Sequence, residues 1–346
     1  MAGWIAAVSH WFRLKVEPSE KLHVVTSDGW RLAVHHRKAK VRKFREPVLL
    51  CHGLSANHHN LDFEPPYSLA HALNDAGFDT YAVDFRGTHE SSRPPSGKSV
   101  GDYSVDDHIQ KDGPALVQFA LEHSGASQVF WVGHSLGGLI GYGVAGGASA
   151  EKLRGLVTLG SPVFFVFDRN LIRHAIRLGL VLAWPHKFRQ GWFSRAAAPF
   201  LGHVALPLSD TIINPRHIAP HIQRKAFATI ISAMGRNVLL QFRDWIWSDS
   251  FRSRDGKVDY RAGVERMTVP LLVTAGSKDR LAAARGVQRA FDLAGSKDKT
   301  LLVFGRENGD EQDYGHGDLL FGTGAPKEVY PIVIRWLEAR ATGNHK

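Results

Sequence analysis

Sulfur is scarce in this sequence, which has one cysteine and three methionines among 346 residues. A single cysteine excludes an internal disulfide and any cysteine-rich metal site. Cys51 ends the apolar run PVLLC. We therefore expect Cys51 to be a small buried side chain on a strand and not a nucleophile.

Long apolar runs are missing too. No stretch reaches the roughly 18 apolar residues that a membrane-spanning helix needs. The first residues show helical apolar spacing without the basic start and long apolar core of a signal peptide. We predict an amphipathic helix over residues 1–16 that packs on the domain, with contact to a lipid surface through residues 4–12 as the alternative. The expected location is cytoplasmic, with membrane association under that alternative.

Acidic residues are outnumbered, 33 against 43 Lys and Arg, which gives a formal net charge of +10. The basic residues are spread along the chain and no nucleic-acid-binding motif occurs. We therefore predict no nucleic-acid partner, only good solubility and some attraction to anionic surfaces. The 44% hydrophobic and 22% charged residues are typical of a folded protein large enough for a substantial core.

Short apolar runs alternate with helix-like runs over most of the chain. A hairpin is predicted at LHVVTS, Asp28-Gly29 and WRLAVHH, because Asp-Gly between apolar runs favours a tight turn. Further strands are predicted at PVLLCHG, FDTYAVDFRG, 128–134, LRGLVTLGSPV, VPLLVTAGSKD and KTLLVFG. A helix between them is expected to start late, since Gly113-Pro114 would interrupt it. The pattern predicts an α/β fold whose mostly parallel sheet is covered by helices on both faces.

Residues 164–268 interrupt this alternation with helical runs, prolines and many aromatic residues. We predict that residues 1–163 and 269–346 form the core and that 164–268 form a helical cap or lid. Such a cap would cover the carboxyl edge of the sheet, where α/β proteins bind ligands, and line an apolar pocket. The compatible alternative is a helical subdomain with its own core. The aromatic residues of segment 164–268 on which this prediction is based are Phe164, Phe165, Phe167, Trp184, Trp192, Phe193, Phe200, Trp245, Trp247 and Phe251.

A glycine-flanked serine lies between a predicted strand and a predicted helix, in VFWVGHSLGGLI at residues 129–140. The motif Gly133-His134-Ser135-Leu136-Gly137 is G-x-S-x-G in the strand–turn–helix setting of a nucleophile elbow. Glycines at both flanks fit a turn so sharp that larger residues would collide with neighbouring backbone. The turn would lift Ser135 above the sheet and aim the Leu136 N–H at a developing oxyanion.

A serine nucleophile needs a base and an acid that orients the base. Asp279 follows the late strand LLVTAG, and His316 lies in the loop DYGHGDLLFG before the last helix. The order Ser135, Asp279, His316 is the order of triads on this type of sheet. We assign the acid to Asp279 and not to Asp84, which precedes the serine and is expected to fix the turn that follows it.

The loop after PVLLC supplies the second expected oxyanion donor. His52-Gly53 ends this strand, and the Leu54 N–H would meet the developing charge. We expect supporting roles for His52, Gly53 and His134. Asp318 is expected to shape the loop of the histidine base.

No cofactor and no metal is predicted. His58 and His59 suggest a metal site, but the sequence reveals no third ligand, so we expect a surface loop. The acidic residues 310, 311 and 313 allow a calcium site as an alternative to a solvated loop.

With its motifs in this order, the sequence resembles the α/β-hydrolase superfamily over nearly its full length. Its core motifs are similar to those of acid-lipase-type esterases: His-Gly-Leu at 52–54, Gly-His-Ser at 133–135, Gly276, Asp279, Leu281 and Ala282 in the acid loop, and His316, Asp318 and Leu319–Gly322 in the histidine loop. The resemblance implies the triad Ser135–Asp279–His316, a helical cap and an ester substrate. The sequence differs from acid lipases at Leu136, where they commonly have Gln. We also expect it to lack their secretory signal and their extra cysteines.

The function predicted first is a serine hydrolase that cleaves carboxylic esters of apolar acyl groups through an acyl-enzyme. Its partner would be a small-molecule ester or a lipid. An acyltransferase that passes the acyl group to an alcohol or thiol is the alternative, and a non-enzymatic receptor is a third. A hydrolase with an aspartate nucleophile is disfavoured because the nucleophile position of the elbow is occupied by a serine, Ser135. The sequence leaves acyl chain length and oligomeric state open.

Overall fold

The structure is a computed structural model that describes residues 12–91, 93–97, 99, 101–166, 187–188, 194–195, 198–200, 214 and 216–343. Most of the predicted N-terminal helix, and residues 4–11 of the predicted lipid contact, lie outside this range. Residues 13–16 are not helical. The reason is visible at Lys15, whose backbone N–H donates to Glu64 Oε2 at 3.0 Å and so ties the chain to the core.

One large sheet forms the centre of the molecule, with strand order β1-β2-β4-β3-β5-β6-β9-β10. The first two neighbour pairs, β1–β2 and β2–β4, are antiparallel, and the remaining pairs are parallel. This confirms the mostly parallel sheet and the hairpin. The strands are β1 Glu20–Val25, β2 Arg31–Arg37, β3 Val48–Cys51, β4 Thr80–Asp84, β5 Val129–His134, β6 Leu153–Leu159, β9 Leu271–Gly276 and β10 Lys299–Phe304; β7 Lys187–Phe188 pairs with β8 Met234–Gly235 apart from them.

Helices follow most strands of the sheet. Those used below are α1 Leu69–Ala76, α2 Gly113–Ser124, α3 Leu136–Ala145, α4 Pro220–Thr229, α5 Arg236–Ser248, α6 Tyr260–Arg266, α7 Ala284–Leu293, α8 Asp318–Phe321 and α9 Ala325–Glu338. Single turns occur at Val105–Asp107, His58–Asn60, His89–Ser91, Ala150–Lys152, Ala198–Phe200 and Arg306–Asn308. No helix among the described residues is long and apolar enough to span a membrane.

The predicted late start of α2 needs a correction. Helical turns already begin at Val105 and pass through a π turn, His108–Asp112, before Gly113. Pro114 stands in the first turn of α2, directly after the π turn, whose last bond joins the Gly113 N–H to the His108 carbonyl. Gly113-Pro114 therefore marks a change of helical type and not an interruption.

Apolar layers cover both faces of the sheet. In β5, Trp131 points into the layer that contains α2, α3 and α7, whereas Phe130 and Val132 point into the layer with α1 and α9. All six residues of β5 are buried. A strand covered on both faces reads as a continuous apolar run, which is why the sequence locates these strands.

The described part of the segment between β6 and β9 contributes to the core. Phe242, Trp245, Phe251 and Tyr260 form a chain of ring contacts with centroid spacings of 5.1–5.8 Å. They belong to the same apolar cluster as α3 and the sheet. These aromatic side chains therefore stabilise packing instead of lining an open pocket, while Phe167, Trp184, Trp192 and Phe193 lie outside the described residues. The cap boundaries at 164 and 268 remain a prediction.

A buried ion-pair network holds the loop after β4. The Arg86 guanidinium donates to Asp112 Oδ1 at 2.8 Å and to Asp28 Oδ2 at 2.9 Å. Arg86 and Asp112 are 1% and 0% exposed. The network joins the β1–β2 hairpin and the helical turns before α2 to this loop, and the loop in turn contacts the predicted oxyanion loop.

We expect Arg86→Leu to lower the free energy of unfolding by about 3–5 kcal/mol, because it leaves the buried Asp112 carboxylate without its cation. The control is Arg243→Leu, whose pair with Asp244 is exposed and should contribute about 0–1 kcal/mol. Urea unfolding of both variants measures the difference. Equal losses in the two would contradict the importance of the buried network.

Candidate active site

Ser135 occupies a strained turn between β5 and α3. Its backbone has φ 54° and ψ −117°, and its N–H donates to the Leu159 carbonyl at 2.9 Å. A Cβ on Gly137 would lie 2.1 Å from the Cys51 carbonyl oxygen, and one on Gly133 would lie 2.3 Å from the Gly138 nitrogen. Only glycine lets α3 start this close to β3, so the strand–turn–helix geometry is that of a nucleophile elbow.

Asp279 and His316 are brought together from loops after β9 and β10. Asp279 Oδ2 accepts a hydrogen bond from His316 Nδ1 at 2.8 Å. Asp279 Oδ1 accepts from the N–H groups of Leu281 and Ala282 at 2.9 and 2.7 Å. These three bonds hold the carboxylate in one orientation and assign the proton of the neutral imidazole to Nδ1. Nε2 of His316 is thereby left as a base.

This pair lies beside the elbow. A Cβ on Gly160, the next residue after Leu159, would lie 3.2 Å from Asp279 Oδ2 and 3.4 Å from His316 Nδ1. The rings of His134 and His316 are 4.8 Å apart. Among the described residues, Ser135 Oγ makes no hydrogen bond to His316; catalytic hydrogen bonds of this kind are often long or poorly aligned before substrate binds.

Two backbone N–H groups near Ser135 have no acceptor among the described residues: those of Leu54 and Leu136. Leu136 is the first residue of α3, where N–H groups lack an intrahelical partner. The Leu54 loop is close to the elbow, because a Cβ on Gly53 would lie 3.2 Å from Ser135 Cβ. Both N–H groups are available to an oxyanion.

His52 orients the peptide that carries the Leu54 N–H. Its Nε2 accepts from the Phe85 N–H at 3.1 Å, so the proton is on Nδ1, which donates to the Gly53 carbonyl at 2.7 Å. Burial lowers the pKa of His52 to about 4, which keeps this ring neutral. Since the Gly53 carbonyl and the Leu54 N–H share one peptide plane, His52 fixes the direction of both.

Asn60 was not singled out by sequence reasoning. Its Oδ1 accepts from the Gly53 N–H at 3.0 Å and lies 3.0 Å from His134 Nδ1. Nε2 of His134 lies 3.2 Å from the His316 carbonyl. Burial, and then the nearby His316, lower the pKa of His134 to about 3, so the neutral ring donates to one of these two oxygens. No motif marks Asn60, because a lone asparagine in a polar loop has no distinguishing pattern.

Residues after α4 also contact the loop of Leu54. The hydroxyl of Ser55 donates to the Ser232 carbonyl at 2.6 Å, and the Ser232 N–H donates to the Ser55 carbonyl at 2.8 Å. Asn57 Nδ2 donates to the Thr229 carbonyl at 2.8 Å. The chain following α4 is therefore fastened to the loop that carries an oxyanion donor.

Asp318 and Asp84, two further buried aspartates, accept hydrogen bonds from backbone N–H groups. Asp318 accepts from the N–H groups of Asn214 and Gly315 at 2.9 and 2.8 Å, and so braces the loop that carries His316. Asp84 accepts from the His58 N–H at 2.8 Å and the Glu90 N–H at 3.2 Å. The expected surface loop at residues 58 and 59 is wrong for His58, which is buried beside Asp84 because this carboxylate binds its N–H and its ring.

The chain is similar to known proteins both in sequence and in fold. The model of the alpha/beta hydrolase fold family matches residues 46–322. Human lipase member K is 33% identical over 93% of this chain and 88% of its own length. Human gastric triacylglycerol lipase is 25% identical over 92% and 87%. A soluble variant of monoglyceride lipase from Saccharomyces cerevisiae superposes with a TM-score of 0.63 at 16% identity, over 95% of this chain and 98% of that chain, which supports the fold.

The chain belongs to the α/β hydrolase fold family. Within it, the chain is an enzyme of the lipase and esterase type, a carboxylic-ester hydrolase, in agreement with the resemblance seen in its motifs.

Burial raises the pKa of Asp318 to about 6, above the value of about 3.9 for an unfolded chain. The fold therefore favours the protonated carboxyl of Asp318. The contribution of this group to the free energy of unfolding is full below pH ~4 and falls as the pH rises to about 6. We expect the stability difference between wild type and Asp318→Asn to decrease by roughly 1–3 kcal/mol over this interval.

Urea unfolding at pH 4, 5, 6 and 7 measures that difference. Asp292→Asn is the matched control, since Asp292 is exposed on α7 and should show no such slope. A pH-independent difference for Asp318→Asn would contradict the raised pKa.

Proposed function

We propose that the protein hydrolyses carboxylic esters of apolar acyl groups through an acyl-enzyme on Ser135. The observation that carries the proposal is the Asp279–His316 hydrogen bond beside the elbow of Ser135. The N–H groups of Leu54 and Leu136, which have no acceptor within the described ranges, would supply the oxyanion site. A base, its orienting acid and two donors around one serine are the parts that acyl transfer needs.

In the first half-reaction, Ser135 Oγ attacks the ester carbonyl while His316 Nε2 takes its proton. Negative charge develops on the carbonyl oxygen, where the Leu54 and Leu136 N–H groups donate to it. The tetrahedral intermediate collapses as His316 returns the proton to the leaving alcohol, which leaves an acyl ester on Ser135. Water then attacks this ester with His316 again as base, and the free acid departs.

Asp279 stabilises the imidazolium that forms in both steps. Its two backbone bonds, from Leu281 and Ala282, are made before substrate arrives. The carboxylate therefore needs no reorganisation when positive charge develops on His316, and this preorganisation is worth more in a buried site than in water. His52 and Asn60 do the same for the oxyanion loop.

The substrate class rests on the relatives. They include proteins named as triacylglycerol lipase and lipase, and solved structures named as esterase and monoacylglycerol lipase. Each alignment covers most of this chain and most of the relative. We assign to this chain an ester or lipid substrate with an apolar acyl part. A cytoplasmic location, and contact with a lipid surface through residues 4–12, remain predictions.

We expect Ser135→Ala to lower kcat on p-nitrophenyl esters by about 10³-fold or more, and His316→Ala to do likewise. Because the two residues act as one unit, the double variant should be no slower than Ser135→Ala alone. A fluorophosphonate probe should label wild type and not Ser135→Ala. Ser124→Ala, at the end of α2, is the control and should keep full activity.

Turnover by Ser135→Ala at the wild-type rate would end the proposal, as would probe labelling at another residue. A series of esters from short to long acyl chains, run on wild type, defines the acyl preference.

Acyl transfer is the alternative fate of the same acyl-enzyme. We expect free acid to remain the main product when a short alcohol competes with water. Analysis of both products at increasing alcohol concentration measures the partition. An alkyl ester that dominates at millimolar alcohol would make the protein an acyltransferase, with Ser135 in the same role.

A further inference from the structure

A cluster of histidines and carboxylates lies where β4 ends, apart from the proposed triad. Asp84 is the last residue of β4, His35 lies on the neighbouring β2, and His89 and Glu90 belong to the turn that follows β4. Donor atoms of Asp84, His89 and Glu90 all lie within 4.8 Å of one another, as do donors of His35, His58 and Asp84. The proposed mechanism uses none of these side chains.

Two pairs of these donors lie at the separation of two ligands on one metal ion. His35 Nε2 lies 3.2 Å from Glu90 Oε2, and His89 Nδ1 lies 3.3 Å from Asp84 Oδ2. Four ligands at the usual Zn–N and Zn–O distances of about 2.0–2.1 Å are separated by roughly 3.3 Å. The His35–Glu90 and Asp84–His89 contacts have this separation, and the exposed side chains of His89 and Glu90 would move to bring the two pairs together around an ion.

His35 supplies the second observation. Its Nε2 is buried and, within the described part of the chain, has no hydrogen-bond partner, although Glu90 Oε2 is near. Two groups that approach closely without the alignment of a hydrogen bond are placed as two ligands of one cation would be. The residue is only 7% exposed, so water does not readily compensate this nitrogen.

Neighbouring groups orient the donors from outside. Ser19 Oγ lies 3.2 Å from His35 Nδ1, so Nδ1–H can donate to it and leave the Nε2 lone pair free. Oδ1 of Asp84 accepts from the backbone N–H of His58 and lies 3.0 Å from its ring Nδ1, which leaves Oδ2 directed toward His89. Outer partners of this kind are usual around ligating histidines and carboxylates.

We propose that His35 Nε2, Asp84 Oδ2, His89 Nδ1 and Glu90 Oε2 form a site for one divalent transition metal of the zinc type. Two imidazoles and two carboxylates suit such an ion and balance its charge. His89 and Glu90 side chains are 30% and 29% exposed, so the ion has a path from solvent and these two ligands can close on it. Lys21, 2.9 Å from Glu90 Oε2 and largely exposed, is the cation that the metal would displace.

A second trio, Glu20, His36 and His123, is the obvious competitor. There the contact with the carboxylate is made by His36 Nδ1, at 3.0 Å, and not by its unpartnered Nε2. His123 Nδ1 lies 2.9 Å from the hydroxyl of Tyr81. The trio therefore offers one donor fewer than the proposed site.

The test uses purified protein without a histidine tag, stripped with a chelator and dialysed. Zn²⁺ is titrated calorimetrically, and unfolding temperature is recorded with and without Zn²⁺. We expect one equivalent to bind and to raise the unfolding temperature, as any ligand of the native state does. His89→Ala and Glu90→Gln, both at exposed positions, should weaken binding by at least about 10-fold, the scale on which even outer partners act. His123→Ala should bind as wild type.

Ser135→Ala should also bind Zn²⁺ as wild type, which separates this site from the proposed ester chemistry. The proposal fails if stripped wild type binds no Zn²⁺. It fails equally if His123→Ala loses the bound equivalent while His89→Ala and Glu90→Gln retain it.

Discussion

The close approach of the start of α3 to the end of β3 is the constraint on which the site depends. The Gly137 backbone lies so near the Cys51 carbonyl that no side chain fits between them. Ser135, two residues earlier, has a positive φ of 54°. A Cβ on Gly53, in the loop of Leu54, would lie 3.2 Å from Ser135 Cβ. The same close packing therefore brings the proposed nucleophile next to the loop that carries a proposed oxyanion donor.

Hydrogen bonds then connect the loops that surround this contact. Asn60 joins the Gly53 N–H to the ring of His134, and His134 reaches the carbonyl of His316. The oxyanion loop, the elbow and the loop of the base therefore meet at His134, whose single ring proton forms a hydrogen bond with one of these two oxygens. Such a network favours catalysis because donors aimed in advance cost no reorganisation when charge develops.

The strands were predictable because burial on both faces leaves a continuous apolar signature, as in β5 and β9. Ser135, Asp279 and His316 could be proposed because the order of loops on this sheet restricts the candidates. Asn60 and the burial of His58 could not, since each depends on one contact with a residue distant in sequence. The aromatic residues of the segment after β6 indicated apolar packing, but composition alone does not separate a pocket wall from a core. Phe242 and Trp245 belong to the core.

Three buried aspartates show how contacts, and not residue type, decide a role. Asp279 meets two N–H groups and one imidazole, so its charge is held where a cation forms during catalysis. Asp318 meets only two backbone N–H groups, and burial raises its pKa toward neutrality, which suits a brace better than an orienting acid. Asp84 meets backbone N–H groups and two imidazoles; burial alone would raise its pKa, but the imidazoles of His58 and His89 hold it well below the usual range. In the proposed zinc-type site the Asp84 carboxylate would share the ion with His35, His89 and Glu90, so the same residue type serves as orienting acid, brace or metal ligand according to its partners.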